Sequence, residues 1–415
     1  MRALVIFLLS YVGIAFGSLP RLALDRTGFA LLGAIAMVCS GQLDLHGALA
    51  AVDVGTILLL YGLMVLSAQF RLGGFYTWTA LRISRKIVSP ARFLLVVMLT
   101  AALFSALLMN DIVCLAFTPV LAVALLRGGW NPVPFLLGLA VASNIGSAAT
   151  LIGNPQNMLI GQVNHLAFGP FLVWCLPPVL VALALAYGWI AWLYRGAYRL
   201  PADAAATADP HRLDAVAGDW PALNRWQSGK GLLWLGVLLA LFFTPVPREV
   251  SALGVAGVLL CSRKMKSRAL LGLVDWHLIT LFCGLFIIIK GLETTGLPGE
   301  AVAWLAAHGA AMQDRGVLTV VTAALSNVVS NVPAVMLLVK FVPASCPVDG
   351  YVLALASTFA GNLITIGSIA NLIVIEAAAG CGVRIGFREH ARVGVPVTVA
   401  SLVVLLAWTA LARGR

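Results

Sequence analysis

The sequence predicts an all-α polytopic membrane protein with two inverted repeats, each of five transmembrane helices and one re-entrant hairpin. Apolar residues make up 61% of the 415 residues and charged residues only 10%, with a mean hydropathy of +0.99. Many apolar stretches approach the roughly 20 residues that one helix needs to cross a bilayer. Lipid offers the backbone no hydrogen bonds, so such stretches form helices or a closed barrel, and these lack the alternation of barrel strands.

The positive charge of the chain indicates membrane topology rather than a nucleic-acid partner. The formal net charge is +11, but the Lys and Arg residues lie in short clusters between apolar runs. Such clusters mark cytoplasmic loops. The sequence has no nucleotide-binding motif, no metal-ligand spacing and no paired nucleophile and base, so we expect no enzyme. A membrane-embedded enzyme and a passive channel remain as minor alternatives.

An internal repeat divides the chain into two halves. Three blocks recur in the same order, shifted by 222, 221 and 214 positions. The pairs are Val52/Val274, Asp53/Asp275, Gly62/Gly284, Ser105/Ser326, Asn110/Asn331, Ser143/Ser357, Gly153/Gly367 and Asn157/Asn371. We therefore expect a first repeat over 1–195, a polar cytoplasmic linker over 196–230 and a second repeat over 231–415.

The loop charges predict that the repeats are inverted. One loop of the first half carries Arg82, Arg85, Lys86 and Arg92, whereas the matching stretch of the second half has only Arg315. An earlier pair of loops shows the reverse pattern, since 41–48 has no Lys or Arg and 262–268 has four. By the positive-inside rule the matching loops lie on opposite sides, which requires an odd number of crossings in each half.

The predicted elements of the two halves correspond one to one. In the first half we expect helices over 3–19, 27–43, 53–71, 133–163 and 168–195. In the second half we expect helices over 231–246, 249–262, 273–293, 351–379 and 394–412. The re-entrant hairpins are expected over 92–126 and 316–340.

Asp111 is the clearest acidic residue within an apolar run. An ionisable group at membrane depth costs several kcal/mol unless water, an ion or a partner stabilises it. We expect Asp111 to bind the coupling ion, with sodium as the candidate metal; the alternative is a helix cap. Glu376 could relay protons within the span or already face water, and both readings stay open. Asp53 and Asp275 begin matching helices and are expected to be caps.

Two polar hairpin tips are expected to bind the solute. Asn110 marks the first tip, and Ser330 and Asn331 mark the second. Free backbone groups and the positive ends of half-helices face the solute where such helices meet near the midplane. The alternative is helix packing through small polar residues.

Two broken helices are expected at the membrane midplane. Ser143, Asn144, Gly153 and Asn157 surround a Gly-Asn-Pro sequence inside one apolar run, and proline removes a backbone donor there. The second half keeps Gly367 and Asn371 at the matching spacing. Paired breaks at corresponding places predict a transport site, with the asparagines binding substrate and the two glycines opening the helices for a coupling ion. A structural kink is the alternative.

These motifs resemble the ion transporter superfamily, which includes divalent-anion/sodium symporters, citrate-transporter-like permeases, arsenite permeases and one group of sodium/proton antiporters. The resemblance rests on Asn110-Asp111 with Thr118-Pro119, on the stretches 143–157 and 326–333, and on 366–371. It implies an inverted-repeat fold, often dimeric, whose mobile transport domain moves like an elevator.

The resemblance predicts a secondary active transporter of a small inorganic or organic anion, coupled to sodium or protons, in the bacterial cytoplasmic (inner) membrane. The alternatives are an arsenite/antimonite efflux permease and a sodium/proton antiporter. Dicarboxylate symporters of the superfamily carry Ser-Asn-Thr at both tips. Here the tips read Met109-Asn110-Asp111 and Ser330-Asn331-Val332, which argues against dicarboxylates. A homodimer is expected, and no cofactor other than a possible sodium ion.

Overall fold

The chain folds into helices throughout the part that the structure describes. The computed structural model describes residues 1–17, 24–84, 89–200, 210–218 and 220–412. These residues form 21 α-helices and two 3₁₀ helices, and their only β-type pairing is an isolated bridge between Trp130 and Arg199. The predicted all-α fold class is confirmed.

The described residues of the first half form ten helices. They are α1 (Arg2–Phe16), α2 (Arg26–Cys39), α3 (Leu45–Ala51), α4 (Val54–Leu72), α5 (Phe75–Ser84), α6 (Pro90–Leu108), α7 (Asn110–Arg127), α8 (Val133–Ser147), α9 (Pro155–Val163) and α10 (Phe168–Leu193). Helix α11 (Pro210–Gly218) follows in the polar middle of the chain.

The second half contains ten helices in a matching order. They are α12 (Arg225–Leu241), α13 (Arg248–Leu260), α14 (Ser267–Leu271), α15 (Trp276–Glu293), α16 (Leu297–Ala307), α17 (Arg315–Val329), α18 (Asn331–Leu338), α19 (Pro347–Ala360), α20 (Ile369–Gly380) and α21 (Phe387–Leu411). The 3₁₀ helices are Val339–Phe341 and Thr365–Gly367.

Several boundaries differ from the expected ones. Helix α12 begins inside the expected linker, because the Asn224 side chain accepts a hydrogen bond from the Gln227 backbone at 3.1 Å and caps the helix there. Helix α21 begins seven residues before the expected position 394. The short helices α3, α5, α14 and α16 were not expected. The topology charges Arg85 and Lys86, and linker residues 201–209 and 219, lie outside the described residues.

Both hairpins and both helix breaks occur at the expected places. Met109 alone separates α6 from α7, and Ser330 alone separates α17 from α18. Residues 148–154 separate α8 from α9, and residues 361–368 separate α19 from α20. Helices α6 and α7 are each long and apolar enough to cross a membrane, so the re-entrant character of this hairpin stays a prediction.

Helix packing is reciprocal between the halves. Helix α2 packs on α15 and α13 packs on α4; α7 packs on α20 and α18 packs on α9. A Cβ atom on Gly62 would lie 2.8 Å from the Ala252 backbone, and one on Gly284 would lie 2.9 Å from the Ala30 backbone. Small residues allow such close approach of helices. These paired contacts support the predicted repeat, while its orientation in a membrane stays a prediction.

Six helices of the described residues meet the length and apolarity needed to cross a membrane. They are α4, α6, α7, α10, α15 and α21. Large apolar side chains are exposed along α1, α10 and α21, where a water-soluble protein would carry charges. The structure therefore has the outer surface of a multi-pass membrane protein.

Candidate functional site

Asn144 lies at the centre of a buried polar network that joins the two halves. Its Nδ2 donates to Oδ1 of Asn362 at 2.9 Å and to Oδ1 of Asn371 at 3.1 Å. Its Oδ1 accepts from Asn110 Nδ2 at 3.1 Å and from Ser368 Oγ at 3.0 Å. An amide offers two donors and an acceptor with two lone pairs, so Asn144 is fully used. The Asn144 side chain thus connects the first hairpin to the second break and to the helix that follows it.

Ser143 extends this network to the first hairpin. Its hydroxyl donates to the Asn110 carbonyl at 3.2 Å and shares a 2.7 Å hydrogen bond with the hydroxyl of Ser105. Both serines are buried. The structure therefore brings together Asn110, Ser143, Asn144 and Asn371, while their role in substrate binding stays a prediction.

Asn157 and Asn371 hold the two helix breaks in the same way. Asn157 Nδ2 donates to the carbonyls of Ser147 at 3.4 Å and Thr150 at 2.9 Å. Asn371 Nδ2 donates to the carbonyls of Gly361 at 2.8 Å and Ile364 at 3.3 Å. The acceptors precede each asparagine by ten and seven positions in both halves. Each amide satisfies carbonyls that the break leaves without helical partners.

Two further contacts are exchanged between the halves. Asn144 and Thr358, like Asn154 and Ser368, are 214 positions apart. Ser368 donates to Asn144, and Asn154 Nδ2 donates to Thr358 Oγ1 at 3.2 Å. The two contacts are thus equivalent under the repeat. Asn362 and Ser368 were not among the predicted site residues. At the shift of 214 positions, neither has an identical residue in the first half.

Both hairpin tips have a strained backbone and contact a glycine of a break. Met109 has φ 70° and ψ 130°, and Ser330 has φ 72° and ψ 162°. Non-glycine residues rarely adopt such angles, which cost about 1–3 kcal/mol each and occur mainly at functional sites. The Asn110 backbone N–H donates to the Gly153 carbonyl at 3.0 Å. In the orientation that satisfies its surroundings, the Asn331 amide donates to the carbonyls of Gly367 and Ser357, both at 3.0 Å.

Four helices begin in or beside this network. Helices α7 and α18 begin at the hairpin tips, and α9 and α20 begin at the two breaks. Each N-terminus carries partial positive charge and backbone N–H groups without helical acceptors. The arrangement provides electrostatic attraction for an anion without a charged side chain.

Asp111 lines a cavity to which its neighbour Asn110 does not contribute. This cavity has a volume of about 60 Å³ and is also lined by Ser67, Arg71 and Asp275. None of the ion pairs formed by the described residues includes Asp111. Asp275 accepts a hydrogen bond from the Leu278 backbone at 2.9 Å, which confirms it as a helix cap. Its second role as a wall of the Asp111 cavity was not predicted.

Glu376 lies apart from the asparagine network. It is exposed and lines a wide cavity of about 650 Å³ with Asp25, Arg26, Asp275 and His277. A second cavity, of about 40 Å³, adjoins the wide cavity at the second hairpin tip. Ser330 lines it, and so does Arg26. Arg26 was not predicted, because a lone arginine beside an expected helix start looks like a topology signal.

Paired hairpins, paired broken helices and six membrane-length helices define a multi-pass membrane protein with discontinuous helices. A family model described as a citrate transporter matches residues 11–360. The chain therefore belongs to the citrate transporter family and is a transporter. This confirms the predicted superfamily resemblance.

Two relatives are similar to this chain over nearly its whole length, and one solved structure has a similar fold. The chain is 30% identical to a 46 kDa membrane protein of Mycobacterium leprae, over 96% of each chain. It is 28% identical to the silicon efflux transporter LSI3 of Oryza sativa subsp. japonica, over 92% of each chain. Its fold is similar to that of the Alcanivorax borkumensis YdaH transporter, with a TM-score of 0.55, 15% identity and coverage of 99% of this chain and 95% of the other.

Proposed function

We propose that the chain is a secondary active transporter of a small anion, coupled to sodium or protons. The observation that carries the proposal is the set of four helix N-termini in or beside the buried asparagine network. Their N–H groups and partial charges suit a negatively charged solute. No acidic side chain is hydrogen-bonded to Asn144 among the described residues. Asp111 lies in the first turn of α7, where a bound cation or proton would offset its repulsion of an anion.

Asp111 is proposed as the coupling group. Its carboxylate and that of Asp275 line one small cavity, and the two come from helices α7 and α15 of different halves. Two carboxylates in a confined space favour binding of a sodium ion or a proton, because either reduces their mutual repulsion. The Ser67 hydroxyl could add a third oxygen ligand. The carbonyls of Gly153 and Gly367 accept hydrogen bonds from the hairpin tips. Through these contacts, binding of a cation at Asp111 would affect the two helix breaks.

The transport movement is proposed to be of the elevator type. The hairpins and broken helices would move as one body, because Asn144, Asn110 and Asn371 bond them together. Helices α4 and α15, which line the tip cavities, would belong to the static scaffold. We further propose a homodimer in the bacterial inner membrane.

Efflux of an uncharged hydroxylated solute is the second candidate. It is favoured by the name of the Oryza sativa relative, a silicon efflux transporter. It is also compatible with the network, because amides and hydroxyls bind neutral hydroxyl groups as readily as anions. Arsenite or antimonite efflux belongs to the same candidate class.

Uptake into proteoliposomes tests the proposal. The panel contains sulfate, phosphate, citrate, succinate, lactate and arsenite, each with and without a sodium or proton gradient. Gradient-driven accumulation of one of the anions is expected. A response to arsenite alone would support the efflux candidate. Gradient dissipation without any solute would indicate a sodium/proton antiporter instead.

A further inference from the structure

Arg26 stands where the wide cavity meets the cavity at the second hairpin tip. It is the first residue of α2, its side chain is partly buried, and it lines both spaces. A solute passing from the wide cavity to Ser330 would therefore pass the guanidinium group. Arg26 belongs neither to a hairpin nor to a broken helix.

The charge of Arg26 is only partly compensated, because the Glu376 carboxylate attracts the guanidinium but forms no ion pair with it. Asp25, Asp275 and Glu376 line the wide cavity, yet no carboxylate of the described residues lies within 4.0 Å of the guanidinium. The Asp25 carboxylate accepts from the Gly28 backbone at 2.7 Å and lies 4.0 Å from His277 Nδ1. A partly buried guanidinium without a hydrogen-bond acceptor among the described residues is costly, and its planar donors match a carboxylate in a bidentate manner.

The rest of the tip cavity is mainly apolar. Besides Arg26, the polar residues that line it are Asn327 and Ser330, and helix α18 begins at the residue after Ser330. The other walls are mostly aliphatic or aromatic, including Ile14, Leu281, Leu285 and Ile366. An inorganic oxyanion would need donors on all sides to replace its hydration. A solute with one charged end and an apolar body fits these walls better.

We propose that Arg26 binds the carboxylate of a small monocarboxylate at the entrance to the second hairpin tip. This inference rests on the proposed anion transport and narrows its substrate class. Ser330 and the N-terminus of α18 contact the same carboxylate, and the hydrocarbon part lies against the apolar walls. The carboxylates of Asp25, Asp275 and Glu376 repel an anion in the wide cavity. The anion is therefore expected to enter together with a cation or proton.

The test measures uptake by proteoliposomes containing the full chain. Lactate and pyruvate represent monocarboxylates; succinate, citrate and sulfate are the comparison solutes. The variants are Arg26→Gln, Arg26→Lys and Ser330→Ala, with Arg225→Gln as a matched control because Arg225 is exposed and lines none of the cavities described above. Arg26→Gln is expected to raise KM at least tenfold, Arg26→Lys and Ser330→Ala several-fold, and the control less than twofold.

The outcomes separate this inference from the function on which it rests. If the unchanged protein moves none of the anions, the proposed function fails. If it moves monocarboxylates but Arg26→Gln keeps the original KM, the role of Arg26 is wrong and the proposed function stands. Transport of sulfate or citrate alone would overturn the monocarboxylate class. Should Arg26→Gln fail to reach the membrane, unchanged KM values for Arg26→Lys and Ser330→Ala would overturn the proposal.

Discussion

At the scale of single residues, the site depends on asparagine side chains that both donate and accept hydrogen bonds. Asn144 uses all four of its hydrogen-bonding capacities, three toward the second break and the start of α20 and one toward the first hairpin. A buried amide of this kind stabilises only while every partner is present, because each partner left unsatisfied costs about 1–3 kcal/mol. The network therefore fixes the two halves in one relative arrangement.

Replacing Asn144 by Ala is expected to lower the free energy of unfolding by about 3 kcal/mol and to abolish transport. The loss arises because four buried partners lose their hydrogen bonds at once. Thermal unfolding in detergent, followed by tryptophan fluorescence, measures the effect. Asn164→Ala is the matched control, since this buried residue caps α9 and its Nδ2 has no partner among the described residues. Equal losses in both variants would contradict the role given to the network.

Gly153 and Gly367 are expected to differ in their tolerance of alanine. A Cβ on Gly153 would lie 2.1 Å from the Ser147 carbonyl oxygen, so the first break must distort. A Cβ on Gly367 would meet Asn327 Oδ1 and the Gly361 carbonyl oxygen at 3.1 Å, which small shifts can relieve. Gly153→Ala should therefore abolish transport, and Gly367→Ala should only reduce it. Initial uptake rates at equal protein content measure this; a more severe effect at Gly367 would contradict the described geometry.

Sequence reasoning found the site residues that repeat, and also Asn144 and Ser330, which have no identical mate, but it missed Asn362 and Ser368. Asn110, Asn157, Asn331 and Asn371 were predicted because each has an identical mate. Contacts that pair unlike residues, such as Asn154 with Thr358 or Ser368 with Asn144, leave no such signal. Asp111 and Asn110 were expected to share one site, but successive helix residues point in different directions, and only the structure separates their surroundings.

At the scale of elements, each hairpin turns within one residue. The turn requires a positive φ at Met109 and Ser330, where glycine would carry no steric penalty. A non-glycine residue at both tips indicates that the side chain contributes something that offsets the strain. For Ser330 the proposed contribution is its hydroxyl at the solute route.

Ser330→Gly is expected to raise the free energy of unfolding by about 1 kcal/mol while weakening anion binding. Ser330→Val should lower stability, because a β-branched residue is strongly disfavoured at positive φ. Thermal unfolding with and without the transported anion separates the two effects. A valine variant as stable as the glycine variant would show that the tip does not need this conformation.

The long elements were predicted from apolar length, whereas the short ones were not. Helices α3 and α14 have seven and five residues, too few for a clear period, and they occupy stretches that were interpreted as loops. The Asp44 side chain caps α3 by accepting from the Gly47 backbone at 2.7 Å, which is a signal that could have located it. Helix α21 begins before its apolar segment. Its first turns carry charged residues, so apolar length alone did not reveal where it starts.

At the scale of the whole molecule, the inverted topology makes opposite predictions for two native cysteines. Cys39 and Cys261 are 222 positions apart and both are exposed, near the ends of α2 and α13. If the repeats are inverted, Cys39 faces the outside and Cys261 the cytoplasm. Labelling of whole cells with an impermeant maleimide, in variants that keep one cysteine each, should modify Cys39 alone. Equal labelling of both before permeabilisation would contradict the inversion.

Asp111 is proposed to couple transport of the solute to the movement of a cation. Asp111→Asn keeps the size of the side chain but removes its charge, and the cavity with Asp275 loses one of its two carboxylates. Asp44→Asn is the control, since Asp44 is exposed and asparagine caps a helix as well as aspartate. Both variants should reach the membrane in normal amounts.

The most direct test is uptake of the transported anion into proteoliposomes, with and without a sodium or proton gradient, by the unchanged protein and these two variants. The gradient is expected to drive accumulation by the unchanged protein and by Asp44→Asn but to produce no accumulation by Asp111→Asn. Gradient-driven accumulation by Asp111→Asn at the original level would contradict the coupling role of Asp111.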